Sequence, residues 1–279
     1  MASSQLKEKS SGLEKEKGDV KSLVKKSLKV EGVKPGSAVV AKRKLLIWVT
    51  GGKGGTGKST FARGLLDLLL AAGLSVAAFD GDIENAQLFR YYEGLGSGVV
   101  RTVLADRDGG DDILAAMEEG TADVILADVA AGGSQILGQL QDESMLLSMA
   151  DELGYDITVV SVITASKDSI NTLRVTLETT AGFNVNHVVV KNLFFDDVEG
   201  FELFEESKTR KQFSQVEGVI LPMRALLEKT YKALDRNSLP FSLAKEKESG
   251  LPLGDRARVR QWLTCLDDEL RAHGALFGL

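Results

Sequence analysis

The sequence predicts an α/β protein, a mostly parallel sheet with helices on both faces. Three observations carry that expectation. A glycine-rich segment, Gly51-Gly52-Lys53-Gly54-Gly55-Thr56-Gly57-Lys58-Ser59-Thr60, directly follows a short apolar run, Lys44–Thr50. From Lys44 onward, runs of strand length alternate with runs of helical period, the pattern of parallel strands joined by crossover helices. Two of the strand candidates end in aspartate, Asp80 and Asp128, at the sheet edge where ligands of such folds sit.

The elements follow in order. Lys44–Thr50 contains the β-branched Ile47 and Val49 and reads as a strand. Phe61, Leu65, Leu66, Leu68, Leu69 and Leu70 then recur at helical spacing until Gly73, a C-cap residue. Ser75–Asp80 is a strand, and Glu84–Tyr91 a helix for which Asp82 is a candidate N-cap. Asp111–Glu119 is helical, Ala122–Asp128 a strand and Gln135–Ala150 a helix. Ile157–Thr164 is a strand, Asp168–Thr180 a helix, and His187–Leu193 and Val219–Leu221 are strands. Met223–Leu234 and Asp255–His273 complete the pattern as helices.

At 279 residues and 43% hydrophobic, the chain fits one large domain, or a domain with a tail. The single cysteine, Cys265, excludes a disulfide framework and a cysteine-ligated metal cluster within one chain. The longest apolar stretch, Leu65–Phe79, contains Asp67 and is broken by Gly73, so neither a membrane span nor a signal peptide is expected, and the expected location is cytoplasmic. The net charge of −6 is unevenly spread. Residues 1–44 hold 12 Lys and Arg against 5 Asp and Glu, whereas the remainder holds 22 against 35. Residues 1–43 therefore read as a basic, disordered arm and 44–279 as the folded domain. Within the arm, Val20, Leu23, Val24 and Leu28 share a helical face among lysines. That face suits nucleic acid, an anionic membrane or a partner, or else the arm is simply a solvated tail.

Gly52, four residues, then Gly57-Lys58-Ser59 is the spacing of a phosphate-binding loop. Glycines let backbone N–H groups approach a polyphosphate closely. Lys58 adds charge at the β/γ-phosphates and the Ser59 hydroxyl is a Mg²⁺ ligand. The strand before and the helix after give the loop its required context, and the helix N-terminus adds its dipole to the anion site. Asp128, at the end of an apolar strand and before Val129-Ala130-Ala131-Gly132-Gly133, is placed to hold Mg²⁺. Of Asp80 and Asp82, one is expected in the magnesium shell and the other to orient the attacking water.

Taken together, these residues resemble the ParA/MinD group of P-loop ATPases with a deviant Walker A motif. The resemblance rests on Lys53 through Thr60, on Asp80-Gly81-Asp82 and on Asp128-Val129-Ala130-Ala131-Gly132, across residues 44–235. It implies a three-layer P-loop NTPase fold, with Gly52 to Thr60 cradling ATP and Mg²⁺ at Ser59, Asp80, Asp82 and Asp128. It also implies catalytic roles for Lys53, Lys58 and Asp82, with Lys53 crossing a dimer interface to the partner's nucleotide. An adenine-reading residue falls on Lys191 or, one position on, Asn192, and Pro222 lies in a late segment near the base. The sequence departs from the family at Ala130 and Ala131, where prolines are frequent, and at Ile83-Glu84-Asn85-Ala86, where Pro-Gln-Gly-Asn is usual. A guanine-reading motif is absent: in Thr164-Ala165-Ser166-Lys167-Asp168 the lysine directly precedes the aspartate, which favours ATP over GTP.

The implied function is a slow, partner-stimulated ATP hydrolase that forms an ATP-dependent homodimer and positions or segregates a cargo. Plasmid DNA or its transfer and partition machinery is the expected cargo, with a stimulating partner protein. Non-specific DNA contact is expected from the arm or from Lys208, Arg210, Lys211, Arg256, Arg258 and Arg260. The alternatives are an ATP-dependent metabolic enzyme on the same scaffold and a nucleotide-bound, non-hydrolysing adaptor. The two histidines, His187 and His273, offer no acid/base pair for the former.

Overall fold

The computed structural model describes residues 44–194 and 199–279. The expected arm, with its Val20–Leu28 face, lies outside the described residues.

Among the described residues seven strands form one sheet: β1 Lys44–Gly51, β2 Val76–Asp80, β3 Val99–Arg101, β4 Val124–Asp128, β5 Tyr155–Ile163, β6 Val185–Asn192 and β7 Val219–Met223. Their order is β3-β2-β4-β1-β5-β6-β7, and each described pairing is parallel. The period of two along β1 explains the layering. Leu45, Ile47 and Val49 enter one core, Leu46 and Trp48 the other. The first face carries α1 Lys58–Ala71, α2 Gln87–Tyr92, α9 Glu228–Asn237, α10 Phe241–Ala244 and α11 Leu253–Arg271. The second carries α3 Asp111–Glu119, α4 Gly133–Ser144 and α5 Leu146–Glu152. A third apolar cluster gathers α6 Lys167–Thr179, α7 Glu202–Glu205 and α8 Lys208–Gln215 over Ile163 and Val189. The expected α/β layering is therefore observed.

The structure corrects several boundaries. Gln135–Ala150 is two helices, because Met145 adopts a left-handed conformation (φ 56°). The Gln141 side chain accepts the Leu147 and Ser148 amides that open the second helix. Met223 ends β7, and the following helix begins only at Glu228. Pro222 lies within β7, which it can do because β7 is an edge strand and the missing N–H breaks no ladder. The helix expected from Glu84 starts at Gln87, since Asp82 instead caps a turn by accepting the Asn85 amide at 3.0 Å. Strand β3 and helices α7, α8 and α10 were not expected; β3, α7 and α10 are too short to show a period. Among the described residues no helix is long and apolar enough to cross a membrane.

Helix α1 carries a buried carboxylate, Asp67, that ties it to α10. Its oxygens accept from the Ser242 amide at 2.6 Å and the Ser242 hydroxyl at 2.7 Å. Burial pushes the carboxyl from 3.8 up to about 6, opposed by Ser242, Tyr92 and Lys245. A raised carboxyl favours the fold most when protonated. That contribution is complete below about 3.8 and is lost as pH rises through about 6. Asp67→Asn removes the titration. The variant should therefore gain stability relative to wild type between about pH 4 and about pH 7.5, by at most about 3 kcal/mol. Urea unfolding of both proteins at the two pH values measures it.

Candidate functional site

The residues that the sequence singles out converge at the carboxyl ends of β1, β2 and β4. The loop between β1 and α1 is shaped by glycines that other residues cannot replace. Gly55 and Gly57 have φ of 87° and 95°. A Cβ on Gly57 would lie 2.5 Å from Asn192 Nδ2, and one on Gly51 would lie 2.6 Å from the Val162 carbonyl oxygen. Gly57 is the N-cap of α1 and offers no side-chain cap, and the first turn holds no acidic residue. The free N–H groups of α1 thus face the loop, an arrangement that binds anions.

A cleft of about 310 Å³ opens beside this loop. Gly54, Gly55, Gly57, Lys58, Ser59 and Thr60 line it, together with Asp82, Asn85 and Gln87. Asn192, Phe194, Met223–Leu226, Tyr231 and Trp262 complete the lining. Lys58 is buried, which lowers its pKa against the opposing pull of Asp128 and Asp82.

The three aspartates play different parts. Asp128 is buried, and neither of its oxygens has a hydrogen-bond partner. Burial pushes its carboxyl up to about 7; Asp80 adds to the rise, while the nearby Ser59 hydroxyl and Lys58 oppose it. An unpartnered buried carboxylate beside a hydroxyl and a polyphosphate cradle suits a hard cation with oxygen ligands, such as Mg²⁺. Asp80 is also buried, but its oxygens accept from the Asp82 amide at 3.0 Å and the Phe89 amide at 2.9 Å. It holds the Asp82–Phe89 segment in place. Asp82 lies at the cleft wall. Among the described residues no cluster of three His, Cys, Asp or Glu side chains could hold a metal unaided, so phosphate oxygens and water would complete the shell around Ser59 and Asp128.

Other expected residues fall elsewhere. Lys53 does not line its own cleft. Its side chain is 82% exposed and pairs with Asp168 Oδ2 at 2.7 Å, which raises its pKa. Lys191 points to the opposite side, pairing with Glu205 at 2.7 Å over the rings of Phe201 and Phe204. Asn192 reaches the cleft, but its amide is engaged at both ends. Nδ2 donates to the Thr56 carbonyl at 2.8 Å, and Oδ1 accepts the Phe194 amide at 3.1 Å. Pro222 lines a smaller neighbouring pocket of about 90 Å³. His187 is buried against Thr180, its pKa lowered to about 4 by burial, and does not line the cleft. Sequence reasoning missed Met223–Leu226, Tyr231 and Trp262, which carry no motif. A position just past the last strand was the one available signal, and it points only to Met223–Leu226.

The fold and the cleft define a nucleotide-binding protein built on a phosphate loop. The chain belongs to the CobQ/CobB/MinD/ParA nucleotide binding domain family, whose model matches residues 47–237. It is similar to Protein MobD of Acidithiobacillus ferrooxidans, 24% identical over 220 residues, covering 78% of this chain and 93% of that protein. Among solved structures it is similar to the septum site-determining protein MinD of Pyrococcus horikoshii OT3, complexed with Mg-ADP. That match has 17% identity, a TM-score of 0.46, and covers 84% of this chain and 98% of the other. The cell division ATPase MinD of Pyrococcus furiosus matches with 19% identity and a TM-score of 0.45, covering 82% and 99%.

The Asp128 geometry yields an expectation. Asp128→Asn removes a buried carboxylate whose pKa burial raises in spite of Lys58 and Ser59, so the nucleotide-free protein should be stabilised by roughly 1–3 kcal/mol. The same change should abolish the gain in ATP affinity on adding Mg²⁺. Melting in EDTA and calorimetric titration with and without Mg²⁺ measure the two effects.

Proposed function

We propose that the chain is an ATP hydrolase that dimerises with ATP and uses the cycle to position a cargo. The observation that carries this reading is the division of the loop. Lys58, Ser59 and Thr60 line the chain's own cleft, whereas Lys53 stands outside it, exposed and paired with Asp168. An exposed loop lysine outside its own cleft supports the reading that it serves a second chain.

The roles follow from position. The free amides of α1 and the Lys58 ammonium hold the polyphosphate. Ser59 and Asp128 hold Mg²⁺, which neutralises charge on the β- and γ-phosphate oxygens when bound. Asp82, at the cleft wall, orients the attacking water, and Asp80 fixes the segment that presents it. Lys53 of each chain contributes charge to the other's phosphates. Asn192 braces the loop through Thr56 and flanks the base end.

The cargo in this reading is plasmid DNA or the proteins that transfer or partition it, with a partner protein that stimulates hydrolysis. The basic residues 1–43 supply one contact for DNA. Arg256, Arg258 and Arg260 on α11 supply another, although α8, with Lys208, Arg210 and Lys211, lies on the opposite face of the sheet. A duplex therefore engages one helix or the other, and binding should weaken steeply with salt.

Size analysis of wild type and Lys53→Ala with ATP, ADP and no nucleotide tests the dimer. A dimer is expected only for wild type with ATP; six unchanged monomers refute the reading. Phosphate release with ATP alone separates a positioning ATPase from an enzyme that needs a co-substrate. Asp82→Ala should slow release by about a hundredfold, the usual scale for a positioned acid/base group, while ATP still binds. Unchanged release would support a non-hydrolysing adaptor.

A further inference from the structure

We infer that Trp262, on the C-terminal helix, is a positioning residue for the nucleobase: it fixes the Arg224 carbonyl at the base end of the cleft and so sets base preference. The inference rests on the nucleotide reading above. Arg224, Ala225 and Leu226 lie between the last residue of β7 and Leu227, the N-cap of α9, so neither a ladder nor a helix fixes them. All three line the cleft. Trp262 Nε1 donates to the Arg224 carbonyl at 2.7 Å and gives this segment a fixed direction.

The indole is itself immobilised. It is 5% exposed and stacks on Phe241 with ring centroids 4.6 Å apart. It also meets α1 at Gly64, where a Cβ would lie 3.0 Å from the indole and 2.6 Å from Leu266. The approach exists because residue 64 has no side chain. One side chain thus links the helix that follows the phosphate loop, the segment after β7 and the cleft. It also separates the cleft from the smaller pocket behind, whose wall it shares with Met223 and Arg224. Trp262 lies beyond residues 47–237, the part matched by the family model.

The chemistry follows from the carbonyl. Its oxygen has two lone pairs, and the indole takes one. The other is left to accept an exocyclic amino group. Adenine presents a donor at its six position, whereas guanine presents an acceptor there. A carbonyl held in one direction discriminates between them, because a mismatched base leaves it unpaired. A free segment would turn away and lose the distinction.

The test uses full-length wild type, Trp262→Phe and Trp262→Ala, titrated with Mg-ATP, Mg-GTP and Mg-tripolyphosphate, with melting of each protein measured in parallel. Trp262→Phe keeps the aromatic ring and removes the donor. It should lose about tenfold in ATP affinity, the scale of one hydrogen bond, while GTP and tripolyphosphate affinities stay within about twofold. Trp262→Ala should lose at least as much. ATP should also perturb wild-type tryptophan emission more than tripolyphosphate does, a difference absent from Trp262→Phe, which retains only Trp48. Wild-type ATP affinity in Trp262→Phe overturns the inference, and so does an equal loss for tripolyphosphate, which marks general destabilisation. Wild type that binds tripolyphosphate but ATP no tighter overturns the inference alone. Wild type that binds neither overturns the nucleotide reading and the inference with it.

Discussion

The structure depends on one constraint: the chain must leave β1 and enter α1 without using the first amides of the helix. A conventional N-cap side chain would take one of those donors, and Gly57 has none. The turn is possible only under close packing. Val162 on β5 and Asn192 on β6 press against Gly51 and Gly57 so tightly that a methyl group at either would collide. Asn192 then locks the loop by donating to the Thr56 carbonyl. The strand order follows from the same need. With β1 between β4 and β5, Asp128 reaches the phosphate end from one side while β5 and the adjoining β6 brace the loop from the other.

The charges around α1 show which polar groups serve the fold and which serve a ligand. Asp80 gives its oxygens to backbone amides. Asp67 gives its own to Ser242. Arg63 is fully buried with no hydrogen bond to its side-chain nitrogens, yet its guanidinium lies 3.4 Å from the Tyr91 ring centroid and 4.7 Å from that of Phe241. The ring faces replace water as the environment of that cation. Each of these groups has a partner within the protein. Asp128 does not: its oxygens have no hydrogen-bond partner, and the favourable neighbours are Ser59 and Lys58, themselves ligand-facing.

This asymmetry explains what could be read from the sequence. The phosphate end was legible because backbone chemistry restricts residue type: glycines at tight approaches, Lys58 and Ser59 at fixed offsets, aspartates at strand ends. The layering was legible because alternating apolar residues on β1 serve two cores. The break at Met145 was not, since a non-glycine residue in a left-handed turn leaves no compositional mark and the helical period runs through it. Nor was the late boundary at Glu228, where helix-forming residues continue from a strand. Asp80 shows a subtler limit. Its strand-end position suggested a metal ligand, and only the coordinates reveal that each oxygen also accepts a backbone amide. Lys191 and Asn192 could not be separated by sequence, whereas strand alternation sends one to each face of the sheet.

The two parts of the cleft are therefore specified by different physics. The loop is built by backbone amides and a few charges, so it tolerates little change and carries a motif. The part beyond the loop is built by packing. Met223–Leu226 takes its direction from an indole that arrives from the C-terminal helix, and that helix closes on α1 because position 64 is glycine. Packing of this kind can be met by many residue combinations, which is why no pattern announces it. It also links the two parts of the cleft, since Gly64 lies on the same helix as Lys58 and Ser59.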